Sequence, residues 1–430
     1  MKNALVIFED EKYVNFYPLT HLRPTYFLRP GIRYLYEKYV DAFKDNKPFL
    51  FCRPELADLV SSQTTIPVNN FENENFEEII FVNGRVKYNP EFITAIGQAG
   101  KNVILYSGED IAAFKKVGKL NGDETEILKE GDLGRFLDKM TMNAQTMEIE
   151  LPMYEYLWDV VNALEHEIED DFEYFKSRPD ATGFLKSGEE LKLEGKSIHG
   201  VELINPEKIR IAPSAELLPG VILDATKGPI FIGDSVRIEP LSYIIGPTYI
   251  GKKSIVVGGK IDSCSIGPAC RAGGEIEESI IQGYSNKYHA GFLGHSYLGE
   301  WINLGAMTTN SDLKNNYANV SVIVNGEKID TGCLKVGSFI GDFTKTSIGA
   351  LLNTGINIGI GCNIISDSLV TDGEIRSFTW YSPRHKMTYN FVKAIGTFSK
   401  TMSRRGVEMT ESLKKRLEEI SQTTGVEKNA

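Results

Sequence analysis

A chain of 430 residues is too long for one compact core and predicts two domains. Its 42% hydrophobic and 24% charged residues are ordinary for a globular protein, and a formal charge of −11 argues against a nucleic-acid partner, which normally needs a basic face. No apolar run approaches the roughly 18 residues of a membrane span. The opening MKNALVIFED meets acid by Glu9 and lacks the core of a signal peptide. Five scattered cysteines (Cys52, Cys264, Cys270, Cys333, Cys362) contain no CxxC pair. They read as free thiols in a reducing cytoplasm, not as zinc ligands.

From the N-terminus, Ala4–Phe8, Pro48–Cys52, Ile79–Val82 and Asn102–Tyr106 are short apolar runs, separated by helical patterns such as Gly31–Tyr39. Apolar strands alternating with helices predict a Rossmann-like α/β domain over 1–190, its parallel sheet covered on both faces. Ligands of such sheets sit at the carboxyl ends of the strands. Segment 152–176 carries apolar residues at Tyr156, Val160, Leu164 and Ile168 and reads as a connecting helix.

Beyond Pro229 the pattern changes. Ile232-Gly233, Ile238, Ile244, Ile250-Gly251 and Val256 lie six residues apart. The motif returns at Ile266-Gly267, Leu298-Gly299, Leu304-Gly305, Ile348-Gly349, Ile358-Gly359 and Ile364. This hexapeptide repeat predicts a parallel β-helix over 191–382, each turn a triangle of short strands with the aliphatic residue inside. A β-sandwich would show a period of two. The repeat is imperfect over 256–266 and 276–293, and Met307–Leu334 breaks it altogether. That excursion is expected to leave the helix as a hairpin turning at Asn325-Gly326. Residues 383–430 form a helical tail, with helices near Met387–Met402 and Thr410–Ile420.

Polar chemistry concentrates in Gly283–Ala306, which holds His289 and His295 with Asn286, Lys287 and Asn303. Coils of about 18 residues would place Asn286 beside Asn303 or Leu304. Acyl transfer from a thioester to an amine needs a base to hold the amine unprotonated, donors for the oxyanion, and a groove for the acyl carrier. His289 suits the base; the plain alternative is a histidine facing solvent from a coil.

The segment His289–Thr308 resembles the acetyltransferase core of the bifunctional glucosamine-1-phosphate N-acetyltransferase and N-acetylglucosamine-1-phosphate uridyltransferase family, whose pattern is H-x-x-Y-L-G followed by N-x-G-A-G-T. The resemblance implies a left-handed β-helix, acetyl-CoA as cosubstrate, and a homotrimer with the acyl-donor groove between subunits. It makes His289 the base, places Asn303 at the acetyl-CoA or sugar end, and puts Asn310 and Lys314 near sugar phosphate. Phe292 stands where the family has tyrosine, and Met307 replaces a glycine. The family's paired upstream lysines are not evident, which leaves Lys287 and Arg271 as the nearest cations. Gly341–Gly349 resembles a GDxxKT segment and implies Lys345 and Thr346 in the coenzyme groove.

At the N-terminus the G-x-G-T-R loop of ordinary sugar nucleotidyltransferases is absent. Asn15–Gly31 instead resembles a divergent nucleotidyltransferase-like branch marked by F-x-P-L-T-x-x-R-P and L-R-x-G. Arg23 and Arg29 then either grip phosphates as guanidinium forks or brace the loop. Asn83 ends a strand where the family carries a Mg²⁺-binding aspartate, and a neutral amide is a poor substitute; Arg85 is a candidate for phosphate. Mg²⁺ is implied, with its ligands unassigned.

Three functions fit. One is acetyl transfer from acetyl-CoA to glucosamine-1-phosphate, then uridylyl transfer from UTP to N-acetylglucosamine-1-phosphate. The second is a sugar-1-phosphate nucleotidyltransferase using UTP or dTTP, with a purely structural β-helix. The third is a non-catalytic sugar-nucleotide binding protein.

Overall fold

The computed structural model describes residues 2–71, 76–142, 144–177, 186–187 and 199–424. The predicted boundary at 190/191 falls outside them. Four predicted strands form: β1 (Asn3–Phe8), β2 (Lys47–Phe51), β3 (Glu78–Asn83) and β4 (Val103–Ser107). Two more, β5 (Asp110–Val117) and β6 (Gln145–Glu148), complete a sheet of order β2-β1-β3-β5-β4-β6. β5 runs antiparallel to both neighbours, so the sheet is mixed and not purely parallel. Both its faces are buried. Leu5 and Ile7 belong to one apolar cluster, while Ala4, Val6 and Phe8 belong to another, as the two-residue period of a strand requires. The connecting segment is two helices, Leu157–Asn162 and Leu164–Lys176.

The six-residue repeat becomes a parallel β-helix. One inward column runs Ile211, Ile232, Ile250, Ile266, Ile281, Leu298, Ile340, Ile358, Ile375, each residue paired in register with the next. From Ile232 to Leu298 the steps are 18, 16, 15 and 17 residues, which is why the repeat drifts in the sequence there. Each fully buried aliphatic side chain contributes roughly 1.5–3 kcal/mol relative to exposure.

The excursion is narrower than Met307–Leu334. Thr309–Asn310 still belongs to a coil, and the bridge Leu313–Lys335 forms the neck. Beyond it Ser321–Val324 and Glu327–Asp330 pair as an antiparallel hairpin. Its turn is Asn325-Gly326, with both φ angles positive (54° and 82°), the signature of a type I′ turn. The tail forms the helices Phe391–Ser403 and Glu411–Thr424, while Met387 lies in a strand, His385–Thr388.

The α/β domain docks along the outward column Phe231–Tyr249–Ser265–Ile280–Tyr297–Phe339–Asn357 of the β-helix. The element laid on it is the loop Asn15–Gly31. Ser265 Oγ donates to the Gly31 carbonyl at 2.6 Å, Gln282 Nε2 to that of Phe27 at 2.8 Å, and Asn357 Nδ2 to that of Tyr17 at 3.3 Å. Tyr297 Oη accepts the Arg29 N–H at 2.8 Å and donates to Gln282 Oε1 at 2.7 Å.

Candidate active site

Three titratable side chains stack on one corner of the β-helix. His295 turns the corner with φ +46° and is 6% exposed. Its Nδ1 lies 2.8 Å from Asp312 Oδ2 on the next coil, and its Nε2 lies 2.9 Å from Glu278 Oε2 on the previous one. Burial disfavours the charged ring, but hydrogen bonds to Asp312 and Glu278 outweigh it and raise the His295 pKa to about 9. The same bonds hold both carboxyl groups below their usual range. Glu278 is half-exposed at the outer edge, while Asp312 is held within. Close stacking is possible because Gly337 sits on the following coil, where a Cβ would fall 1.8 Å from the Gly294 carbonyl oxygen. An imidazole oriented by one fixed carboxylate, with its second nitrogen facing a displaceable one, is the arrangement of an acid–base group.

His289 has a different setting. Its side chain is exposed, and the Tyr288 ring lies 5.0 Å away. Sequence reasoning placed His295 in the polar stretch but gave it no role, and missed Glu278 and Asp312. The signal was present in the spacing: 278, 295 and 312 are separated by 17 residues each, one coil apart. His295 also precedes Tyr297-Leu298-Gly299, whereas His289 precedes Phe292-Leu293-Gly294.

Several expected binding residues serve the scaffold. Lys287 pairs in register with Ala272 on an inward column and is 2% exposed. Its ammonium donates to the carbonyls of Gly273 (2.9 Å) and His289 (2.7 Å), and burial pushes its pKa down to about 8. It therefore fastens the corner beneath His289 and is not presented to a phosphate. Asn310 is buried; its Oδ1 accepts the Gly294 N–H at 2.9 Å and its Nδ2 donates to Gly294 O at 3.1 Å. Thr346 accepts from Gly305 N at 2.9 Å and shares a hydrogen bond with Thr308 at 2.7 Å, so it too points inward, away from any coenzyme. Lys314 holds the Asn319 carbonyl at 2.6 Å within the excursion. We expect Asn310→Ala to cost about 1–3 kcal/mol in urea unfolding, because the Gly294 amide is left unpaired.

Asn303, Asn286 and Lys345 do line one outward edge. Asn286 Nδ2 donates to Asn303 Oδ1 at 3.1 Å, and bridges connect Asn286 to Asn303 and Asn303 to Lys345. The tail covers this edge: Arg405 donates to Asn286 at 2.8 Å, and Lys345 lies 5.0 Å from the Phe398 ring centre. Burial pushes the Lys345 pKa down to about 8. Phe292 remains half-buried on the strand that leads to His295.

At the carboxyl ends of β1 and β3 the structure builds a closed ion cluster. Arg85, fully buried, binds Asp10 at 2.6 Å, Asp110 at 3.0 Å and Glu155 at 2.9 Å, and Lys12 binds Asp110 at 2.7 Å. Asn83 donates to Asp10 (2.8 Å) and to the Ile111 carbonyl (3.0 Å) while accepting from Arg85 N (3.0 Å). Arg85 and Asn83 are thus spent on neighbours rather than on phosphate. These residues fit Mg²⁺ poorly: the Asn83 amide carries no charge and its oxygen already accepts from Arg85 N, and Arg85 and Lys12 pair with the carboxylates Asp10, Asp110 and Glu155. Arg23 is also redirected. Its guanidinium takes Asp342 in a two-pronged bond (Nη1–Oδ2 3.0 Å) and the Leu19 carbonyl at 2.8 Å, tying the domains together.

Residues 5–179 match the family model described as sugar nucleotidyl transferase. The N-terminal α/β domain is thus nucleotidyltransferase-like. A bifunctional sugar-1-phosphate nucleotidylyltransferase/acetyltransferase of Sulfurisphaera tokodaii is 32% identical over 156 residues, 34% of this chain and 37% of its own. A bifunctional protein GlmU of Rippkaea orientalis is 31% identical over 151 residues, 30% of this chain and 33% of its own. The chain spans about a third of the length of these curated relatives. A solved UDP-N-acetylglucosamine acyltransferase from Campylobacter jejuni aligns with 50% of this chain and 96% of its own at 14% identity, with a TM-score of 0.24. Within the α/β domain, the strand-end cluster around Arg85 occupies the position where sheets of this kind bind ligands.

Proposed function

We propose a two-activity sugar-1-phosphate enzyme. The β-helix transfers acetyl from acetyl-CoA to the amine of glucosamine-1-phosphate, and the sugar nucleotidyl transferase domain joins the N-acetylated product to UMP from UTP, releasing pyrophosphate. The observation that carries the first step is His295 held between Asp312 and Glu278. The substrate amine displaces the half-exposed Glu278 from Nε2, and the neutral ring takes the amine proton as nitrogen attacks the thioester carbon. The tetrahedral intermediate then collapses and expels the coenzyme thiolate, which leaves as the thiol after protonation. Asp312 holds the ring and stabilises the imidazolium. Acetyl-CoA lies in a groove between subunits of a homotrimer, near exposed His289.

Thiol release from acetyl-CoA with glucosamine-1-phosphate, followed against pH, tests this. A base must be neutral to act, and the two carboxylates hold His295 protonated up to about pH 9. The activity kcat/KM therefore climbs with pH to a limb near 9, far above the ordinary value of about 6.5. Glu278→Gln removes one of those carboxylates and moves the limb down. No thiol release with any amino-sugar phosphate, or a limb that Glu278→Gln leaves in place, overturns the reading.

A second reading of the N-terminal domain is favoured by one observation: Arg85 and Asn83 are consumed within the protein. In that reading the domain binds a sugar nucleotide without turning it over. Pyrophosphate release from UTP and N-acetylglucosamine-1-phosphate separates the two.

A further inference from the structure

A cavity of about 750 Å³ opens where the α/β domain, the helix Leu164–Lys176 and the β-helix meet. It lies within the size range of small-molecule sites, about 300–1,000 Å³. Arg29 stands in its wall, 6% exposed, its guanidinium 4.1 Å from the Tyr34 ring centre and 5.8 Å from that of Tyr249. Nη1 donates to the Ile32 carbonyl, but the buried Nε has no hydrogen-bond partner. Among the described residues no carboxylate lies within ion-pair distance of this arginine. A buried guanidinium with an unmet donor, its charge offset only by the more distant Glu37 carboxylate, is an expensive arrangement for a protein to keep.

The carboxylates around the cavity make their direct bonds elsewhere. Asp41 binds Arg33 at 3.1 Å, Glu37 accepts the Tyr34 N–H at 2.8 Å, and Asp234 accepts the Ser214 hydroxyl at 3.0 Å. Lys252 adds a second cation at the rim, exposed and without an ion-pair partner among the described residues. Tyr36, Tyr174, Phe231 and Tyr249 supply aromatic surface to the walls. Unmet positive charge beside aromatic surface fits an anion that carries a flat ring.

We propose that this junction cavity binds a nucleoside diphosphate, with Arg29 and Lys252 on the phosphates and the base against the tyrosine-lined wall. Occupancy clamps three parts of the chain at once, since the lining comes from both domains and from the helix that connects them. The site is separate from the His295 corner and from the strand-end cluster around Arg85, so it stands whether or not acetyl transfer does.

The test is equilibrium dialysis of uridine diphosphate with the intact protein, with inorganic pyrophosphate and uridine as competitors. Arg29→Gln is expected to weaken binding at least tenfold and Lys252→Glu several-fold, estimates based on the strength of charge-assisted phosphate contacts. Lys252 is exposed, so its variant decides the matter if Arg29→Gln does not fold. Lys12→Ala, at the strand-end cluster, is expected to leave this binding unchanged. Both pyrophosphate and uridine should compete. No binding, binding untouched by Lys252→Glu, or binding lost only in Lys12→Ala overturns the proposal. Competition by pyrophosphate alone reduces the site to a simple anion pocket and overturns the nucleoside part.

Discussion

Replacing His295 with alanine is expected to lower acetyl transfer to glucosamine-1-phosphate by about 10²–10⁴-fold, the usual worth of a positioned acid–base group. His289→Ala should cost less than about tenfold, because that ring has no carboxylate to fix its tautomer or its aim. The contrast comes from the orienting shell: Asp312 lies 2.8 Å from one nitrogen of His295, and among the described residues no carboxylate pairs with His289. Alanine at residue 295 must also adopt a φ of +46°. His295→Asn is the control, since asparagine tolerates the left-handed region and still bonds Asp312. Steady-state kinetics on all three variants, with thermal melting alongside, separates lost chemistry from lost fold. Equal losses at His295 and His289 would deny the coil corner its special role as the seat of the base.

Arg23→Ala is expected to destabilise the protein by about 3–5 kcal/mol, the cost of leaving a buried carboxylate without its partner. Asp342 is 1% exposed; besides Arg23 it accepts the Glu300 N–H at 2.9 Å. Removing the guanidinium strands that charge between the domains. Urea unfolding of the wild type should show one shared transition for the two domains. Arg23→Ala should split it or shift it to lower denaturant, whereas a phosphate-binding arginine would leave unfolding in the absence of ligand nearly unchanged. Arg23→Ala combined with Asp342→Leu, which removes both charges, is expected to recover part of the loss.

These two cases show what could be read from the sequence and what could not. Ile232, Ile250 and Ile358 declared the β-helix because an inward position accepts little except an aliphatic side chain. Asn325-Gly326 declared its turn because few other pairs adopt two positive φ angles in succession. β5 was missed because Asp110 at one end and Lys115 and Lys116 near the other keep it from standing out as a buried strand. For the polar residues the sequence gives chemical type but not partner. Arg23 and Arg29 have the composition of a phosphate site, yet Arg23 meets a carboxylate 319 positions away, across a domain boundary invisible to local pattern. Lys287 occupies an inward position that the repeat reserves for apolar residues, and only the corner carbonyls explain it. The triad was legible in principle, but it required knowing that this stretch of coil advances by 17 residues and not 18.

That short pitch governs which length changes the gene can absorb. Glu278, His295 and Asp312 each stand one turn apart on the same corner, so an insertion or deletion directly beside any of them moves that member off the corner. The neck at Leu313–Lys335 begins one residue after the last member, and the polypeptide beyond it returns to the helix through its own bridge. The hairpin is itself held against both domains, with Val320, Val322 and Val324 buried and Asn325 donating to the Val14 carbonyl at 3.0 Å, so a module grafted there must spare that packed face.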